Sequence, residues 1–337
     1  MKVALIGCGG VAQVHFKALA ENPDTEIIAV ADIKPERADT AASRYGAKAY
    51  YGFDELLENE TPDSVHICTP HYLHTQMAVK ALSKGINVLL EKPCSVTNNE
   101  IAMLRKAQTE SGKQLAICFQ NRYNACVQQA KKIILSGELG KIQAARAFVT
   151  WFRDAAYYSD DWHGTLEKEC GGVLINQSIH TLDLLQYLCG DCKKVTAHVS
   201  NDSLKGIIEV EDTASALLEL EGGIKAVFYA TLAYTQNADA FLEITLENGR
   251  LRIEGEKLFV TDKDGKTEEF ATNSNSVYHG RSYWGTGHSA LINDYYYCLK
   301  SGEKFEIDAY EGGKTEEVVF ACYESSASGK SIEIERN

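Results

Sequence analysis

Lys92 stands between Glu91 and Pro93, directly after the apolar run NVLL. An amine at the tip of a buried strand is partly desolvated. That lowers its pKa and lets it move a proton or polarise a hydroxyl. Glu91 would steady the ammonium and oppose that shift, and an ordinary ion pair at a strand end is the competing reading. A second set lies in GGVLINQSIHTLDLL, residues 171–185. Asn176, His180 and Asp183 fall at i, i+4 and i+7, one face of an expected helix, with Leu174, Ile175, Ile179, Leu182 and Leu185 suited to packing. His180 is a candidate general base near neutral pH. Asn176 can donate to and accept from a substrate hydroxyl. Gly171 and Gly172 permit close approach. A core histidine bonded to Asp183 is the competing reading.

Hydride chemistry needs a carrier, and the start of the chain offers a cradle for one. Residues 3–6 read as a short buried strand. Gly7, Cys8, Gly9, Gly10, Val11 and Ala12 then fit G-x-G-x-x-A, and AQVHFKALA follows with helical spacing. Gly7 allows the tight turn, Gly9 lets the backbone approach a pyrophosphate, and Ala12 allows close helix–strand packing. The helix N-terminus offers free N–H groups to phosphate. A second strand, EIIAVAD, ends in Asp32, placed to bond both ribose hydroxyls of an adenosine. Asp32 would repel a 2′-phosphate, which favours NAD over NADP, although Lys34 and Arg37 lie nearby.

The elements that must hold these groups alternate. Strands are expected near 50, 64–70, 87–93 and 114–121, separated by helices over HYLHTQMAVKALSKG and TNNEIAMLRKAQTESG, the latter capped by Thr97 or Asn98. Repeated strand–helix units imply an α/β fold with a doubly wound parallel sheet, which binds ligands at the carboxyl ends of its strands. Those ends carry Gly7–Ala12, Asp32, Thr69 and Pro70, Glu91 to Pro93, and Gln120 and Asn121. After about 121 the pattern changes to a helix, a long strand, a short helix around 171–189 and several strands with turns, including the hairpin signal LENGR. The expectation is a dinucleotide-binding domain over 1–121 and a second α/β domain with an open, mostly antiparallel sheet over 122–337.

The chain has 337 residues and a net charge of −13, from 34 basic and 47 acidic side chains. That balance disfavours nucleic acid and anionic membrane as partners. No apolar run reaches bilayer length, and the glycines at 7, 9 and 10 interrupt any export-signal core. The 10 cysteines are scattered, mostly in apolar segments, which fits buried thiols in a reducing cytoplasm. Cys189 and Cys192 form a single C-x-x-C without the second pair a zinc site needs. His71, His74, His163 and His288 lack a completing ligand set, so no metal is expected. Trp151, Trp162 and Trp284, with Tyr157, Tyr158, Tyr278 and Tyr283, could stack on sugar C–H faces or simply fill core.

Taken together, GCGGVA, CTPHYLH, EKP, FQNRYN, DDWHGT, GGVLINQSIHTLDLL and GTGHSALINDYY resemble the glucose–fructose oxidoreductase, inositol dehydrogenase and rhizopine catabolism group, Gfo/Idh/MocA, over nearly the whole length. The resemblance implies NAD(P)-dependent transfer of hydride at a hydroxyl of a sugar, glycoside, cyclitol or sugar nucleotide. It implies catalytic roles for Lys92 and His180, and a substrate site that would add Asn176, Trp162, His163 and Tyr123. It also implies cofactor contacts that would include His71, His74, Glu91 and Gln120, and a homo-dimer or homo-tetramer built on the second sheet. Some members cleave glycosides by transient C3 oxidation and elimination. A sugar-sensing regulator without turnover is a further alternative. Many relatives carry an acid four residues before the histidine. Asn176 in that place cannot share a proton relay, which leaves the proton work to Lys92 and His180.

Overall fold

The structure, a computed structural model, describes residues 1–270 and 287–336. Tyr278, Tyr283 and Trp284 lie outside the described residues. The chain forms two compact units, residues 1–120 with 288–313, and residues 121–287 with 314–337. The expected single boundary after 121 keeps 288–313 with the second domain, whereas in the structure that stretch packs in the first unit.

The first unit is built on six strands, β1 (Lys2–Ile6), β2 (Glu26–Ala31), β3 (Lys48–Tyr50), β4 (Ser64–Ile67), β5 (Asn87–Leu90) and β6 (Leu115–Ile117). They pair in the order β3-β2-β1-β4-β5-β6, all parallel. The reversal beside β1 is the switch point at which ligands of such sheets bind. The strands are near-continuous apolar runs because helices cover the sheet. These are α1 (Ala12–Glu21), α2 (Pro35–Tyr45), α3 (Phe53–Asn59), α4 (His74–Ser83) and α5 (Asn98–Ser111). Thr97 caps α5, its side chain accepting from the Glu100 amide at 3.2 Å, while the Glu100 carboxylate reaches back to the Val96 amide at 2.8 Å.

The second unit contains α6 (Ala125–Ser136), β7 (Ile142–Thr150), α7 (Ile179–Cys189), β8 (Cys192–Ser200), β9 (Thr213–Leu220), β10 (Lys225–Thr231), β11 (Phe241–Leu246), β12 (Gly249–Glu254), β13 (Lys257–Asp262), β14 (Thr267–Phe270) and β15 (Ile332–Glu333). Helix α8 (Gly287–Ser301) lies almost wholly in the first unit, and most of α9 (Ala309–Ser328) in the second. The nine strands run β14-β13-β12-β11-β7-β10-β9-β8-β15, antiparallel except for the β7–β10 pair. Burial alternates along β9 and β10, as expected of a sheet covered on one face. Leu217 and Val227, directly paired on the other face, are about half exposed at 52% and 49%.

The expected continuous helix over 171–189 is interrupted. Residues Val173–Gln177 form a π-type turn, and the α-helix proper starts at Ile179. The extra backbone loop breaks the simple i, i+4, i+7 face, so Asn176 sits outside the helix that carries His180 and Asp183. Asp183 is not the partner of His180 that the core reading supposed. It is fully buried and clamped by Arg122, with Nε to Oδ2 at 2.8 Å and Nη2 to Oδ1 at 2.6 Å, and it also accepts from the Thr315 hydroxyl at 3.1 Å.

Candidate active site

In the first unit the glycine turn links β1 to α1. Gly7 has φ of +85°, and a Cβ there would lie 2.5 Å from the Cys68 carbonyl oxygen, so only glycine fits. At Gly9 a Cβ would meet nothing nearer than Arg37, at 3.9 Å, which leaves the turn open to a ligand's backbone. Helix α1 begins without a side-chain cap and without an acidic residue in its first turn. Its first N–H groups and partial positive charge therefore suit a pyrophosphate. The Cys8 amide donates to Asp32 Oδ2 at 2.8 Å, and the Lys34 amide donates to Oδ1 at 2.8 Å. These bonds fix the Asp32 carboxylate at the tip of β2 while leaving acceptor lone pairs for ribose hydroxyls. The residues present thus fit a dinucleotide.

Thr69, Pro70 and Lys92 are partly exposed at neighbouring strand ends, and Gln120 is buried after β6. His71 and His74 turn inward. The ring nitrogens of His74 lie 2.6 Å from the Pro93 carbonyl and 2.7 Å from that of Thr69, so this histidine braces two strand-end turns against each other. Burial pushes its pKa down.

Behind Lys92 lies a buried polar cluster that the motifs did not reveal. The Lys92 amide donates to Glu91 Oε2 at 3.2 Å, and Glu91 Oε1 lies 2.8 Å from His15 Nε2. His15 Nδ1 meets His66 Nδ1 at 2.9 Å, and His66 Nε2 meets the Tyr296 hydroxyl at 2.9 Å. All of these side chains are buried apart from that of Lys92. Burial alone would raise the pKa of Glu91, but the hydrogen bond and positive field of His15, with smaller contributions from His288 and Lys92, bring it well below the usual carboxylate range. His288 is pushed down to about 4 by burial. Ligand atoms of His15, Glu91, Cys118 and His288 all lie within 4.8 Å of one another, a set whose chemistry could hold a metal ion. The sequence hints were histidines inside the apolar stretches VHF and VHI.

The second unit places Asn176, His180, Tyr123, Trp162 and His163 at partly exposed positions. Asn176 Nδ2 donates to Glu169 Oε1 at 2.5 Å, and the other Glu169 oxygen accepts from the Gly164 amide. Glu169 is wholly buried and had no periodic signal in the sequence. The amides of Gly172 and Leu174 donate to Glu211 at 2.9 and 3.0 Å, which pins the approach to the π-type turn. A Cβ on Gly172 would come within 1.9 Å of the Glu211 carbonyl oxygen. The His163 and Trp162 rings are tilted by 34° with centroids 3.7 Å apart, and His163 bonds Asp160 through Nδ1 at 2.6 Å.

A doubly wound sheet with this glycine turn after β1, and an amine just past the end of β5 in the same sheet, defines an NAD-binding oxidoreductase. The comparisons agree. Residues 1–119 match the model described as "Oxidoreductase family, NAD-binding Rossmann fold", and residues 127–252 match that described as "GFO/IDH/MocA C-terminal domain". The chain belongs to the Gfo/Idh/MocA family. It is 28% identical over 193 residues to the glucose-6-phosphate 3-dehydrogenase of Bacillus subtilis (strain 168), a match covering 56% of this chain and 53%, about half, of that protein. It is 31% identical over 240 residues to the dTDP-3,4-didehydro-2,6-dideoxy-alpha-D-glucose 3-reductase of Streptomyces violaceoruber, covering 70% of this chain and 68% of that one. Among solved structures, the WlbA dehydrogenase from Bordetella pertussis in complex with NADH and UDP-GlcNAcA superposes with a TM-score of 0.87 at 28% identity, covering 100% of this chain and 99% of that one.

Proposed function

We propose that this chain transfers hydride between NAD and a ring carbinol of a sugar, glycoside or sugar nucleotide, with C3 of a pyranose as the favoured position. The observation that carries the reading is the partly exposed Lys92 at a strand end of a sheet whose glycine turn and Asp32 suit NAD. Two named relatives act at position 3 of a hexose, which supports the choice of carbon. Bound nicotinamide supplies the hydride acceptor or donor. Lys92 and His180 are the groups assigned to the hydroxyl proton. Asn176, held by Glu169, bonds a neighbouring hydroxyl, and Tyr123, Trp162 and His163 line the sugar's approach. Thr69, Pro70, His71 and Gln120 shape the cofactor's surroundings, with His74 bracing them. NADP is disfavoured by the Asp32 carboxylate.

Self-association through the outer face of the nine-stranded sheet is part of this reading, and the exposed Leu217–Val227 pair supports it. The 10 free cysteines, all but Cys170 buried, suit a reducing cytoplasm. Among the described residues no helix is long and apolar enough to cross a membrane.

The test is a panel of hexoses, glycosides, inositols and UDP-sugars, read as NADH absorbance with parallel product analysis. Net NADH with one class of sugar supports the proposal. Aglycone release without net NADH points instead to cleavage through transient oxidation. Binding of sugar and NAD without turnover points to a sensor.

A further inference from the structure

Glu169 is wholly buried in the second unit, and each of its carboxylate oxygens holds one group. One accepts from the Gly164 amide and the other from Asn176 Nδ2. The backbone around it is fixed. The Thr165 carbonyl accepts from the Glu169 and Cys170 amides at 3.1 and 3.2 Å, and the Glu209 amide donates to the Gly164 carbonyl at 2.8 Å. Cys170 has φ of +66°, the one non-glycine residue with positive φ among the described residues. Such strain persists only where the surrounding contacts over-determine the backbone. On the far side of this turn Glu211 takes the Gly172 and Leu174 amides. One buried acid therefore anchors the backbone, and the other reaches the side chain of Asn176.

Donor counting then orients the Asn176 amide. A carboxylate only accepts, and the Gly164 N–H only donates. Asn176 must present its NH2 to Glu169, which turns Oδ1 the other way. Glu169 takes the buried side of the amide, and Asn176 itself is partly exposed. The outer end of the amide is thus an acceptor with two lone pairs and no proton to give.

We propose that Glu169 sets the hydrogen-bonding polarity of the substrate subsite at Asn176, so that it selects sugars whose hydroxyl beside the reacting carbon donates. The inference rests on the reading of Asn176 as a substrate contact. A sugar with a free hydroxyl there is held. One with a fluorine, an ether oxygen or a carbonyl there sets lone pairs against lone pairs. Glu169 acts through Asn176 and is a positioning residue.

The same counting gives the effect of a one-atom change. In Glu169→Gln the Gly164 amide still needs an acceptor, so the new carbonyl oxygen faces it and the new NH2 faces Asn176. Asn176 must then flip, with Oδ1 inward and Nδ2 outward. The subsite turns from acceptor to donor at nearly constant shape. A carboxylate that only pinned the loop would leave the preference of the subsite untouched.

The other titratable groups that face Glu169 keep this count intact. The Tyr158 and Tyr323 hydroxyls are pushed above the ordinary tyrosine range, chiefly by burial, and stay protonated. Tyr323 donates to Glu211 at 3.0 Å. Burial raises the Glu211 carboxyl from its ordinary 4.5, and it is present alike in every variant of Glu169 and Asn176.

Two experiments on the full chain decide the proposal. The first compares kcat/KM for sugars that differ only in hydroxyl or fluorine beside the reacting carbon. The wild type should favour the hydroxyl by about 10- to 100-fold, and Glu169→Gln should bring the ratio within about threefold or reverse it. The electronic effect of fluorine on hydride transfer is common to both proteins and cancels in the comparison. A folded Glu169→Gln with the wild-type ratio would overturn the proposal. The second experiment needs no sugar. Asn176→Asp sets two carboxylates in contact, so its Tm should fall about 3–6 °C below the wild type at pH 8, and by much less at pH 5, where the pair holds a proton. Adding Glu169→Gln restores one amide against one carboxylate and should recover most of the loss at pH 8. A deficit equal at both pH values, or one that the second change deepens, would show that Glu169 does not hold Asn176 and would sink the proposal as well. If no sugar is turned over, the proposed function fails, and the subsite reading with it, while the Tm cycle still decides whether Glu169 holds the amide.

Discussion

His15 Nε2 and Glu91 Oε1 lie 2.8 Å apart, both buried, joining the first helix of the chain to the strand end that carries Lys92. The pair fixes Glu91, and Glu91 fixes the Lys92 amide, so the candidate catalytic amine hangs from a buried charge. Such a charge is costly to leave unpaired.

That cost should show in the acid stability of the protein. The pKa of Glu91 is lowered from an ordinary value of 4.5. Its contribution is therefore fully present above about pH 5, and is lost as pH falls through the folded-state value. In Glu91→Gln the acid dependence of Tm between pH 6 and pH 3 should be shallower than in the wild type. Calorimetry across that range checks it, and parallel curves for the two proteins would refute it.

Lys92→Ala and His180→Ala should each leave NADH binding nearly intact and reduce kcat by about 10²–10⁴, the usual worth of a positioned acid or base. Cofactor titration by fluorescence alongside steady-state rates separates the two effects. A variant with unchanged rates takes its residue out of the mechanism.

Asp32→Ala should weaken NAD by about 10- to 100-fold through loss of charge-assisted hydrogen bonds to ribose. NADP should be weakened less, because the same change removes a repulsion. Isothermal titration with both cofactors is the check, and equal losses would place the ribose elsewhere.

Arg122→Ala should cost about 3–5 kcal/mol, because it leaves Asp183 buried without its cation. Arg122→Met combined with Asp183→Leu should recover most of that loss, since no buried charge remains. Denaturant unfolding followed by tryptophan fluorescence measures both. A double variant no more stable than Arg122→Ala would show that the pair does more than neutralise itself.

The sequence by itself determined the parallel first sheet, the glycine turn, the Asp32 strand tip and the EKP strand end. Each is a short-range pattern in which spacing and residue type dictate local backbone. The second sheet's strands were legible for the same reason, through alternation and turn residues. What tertiary structure decided lay in contacts between segments distant in the chain. Residues 288–313 fold back into the first unit, where His288, Tyr295 and Tyr296 become buried. The expected helix at 171 gives way to a π-type turn beside Glu211, which takes up the Gly172 and Leu174 amides. Asp183, read as a neighbour of His180 on one helix face, is claimed by Arg122. The chain from Tyr296 to Glu91 joins four separate elements. No periodicity encodes such meetings, because a buried polar group takes whatever partner the packing brings within hydrogen-bond reach.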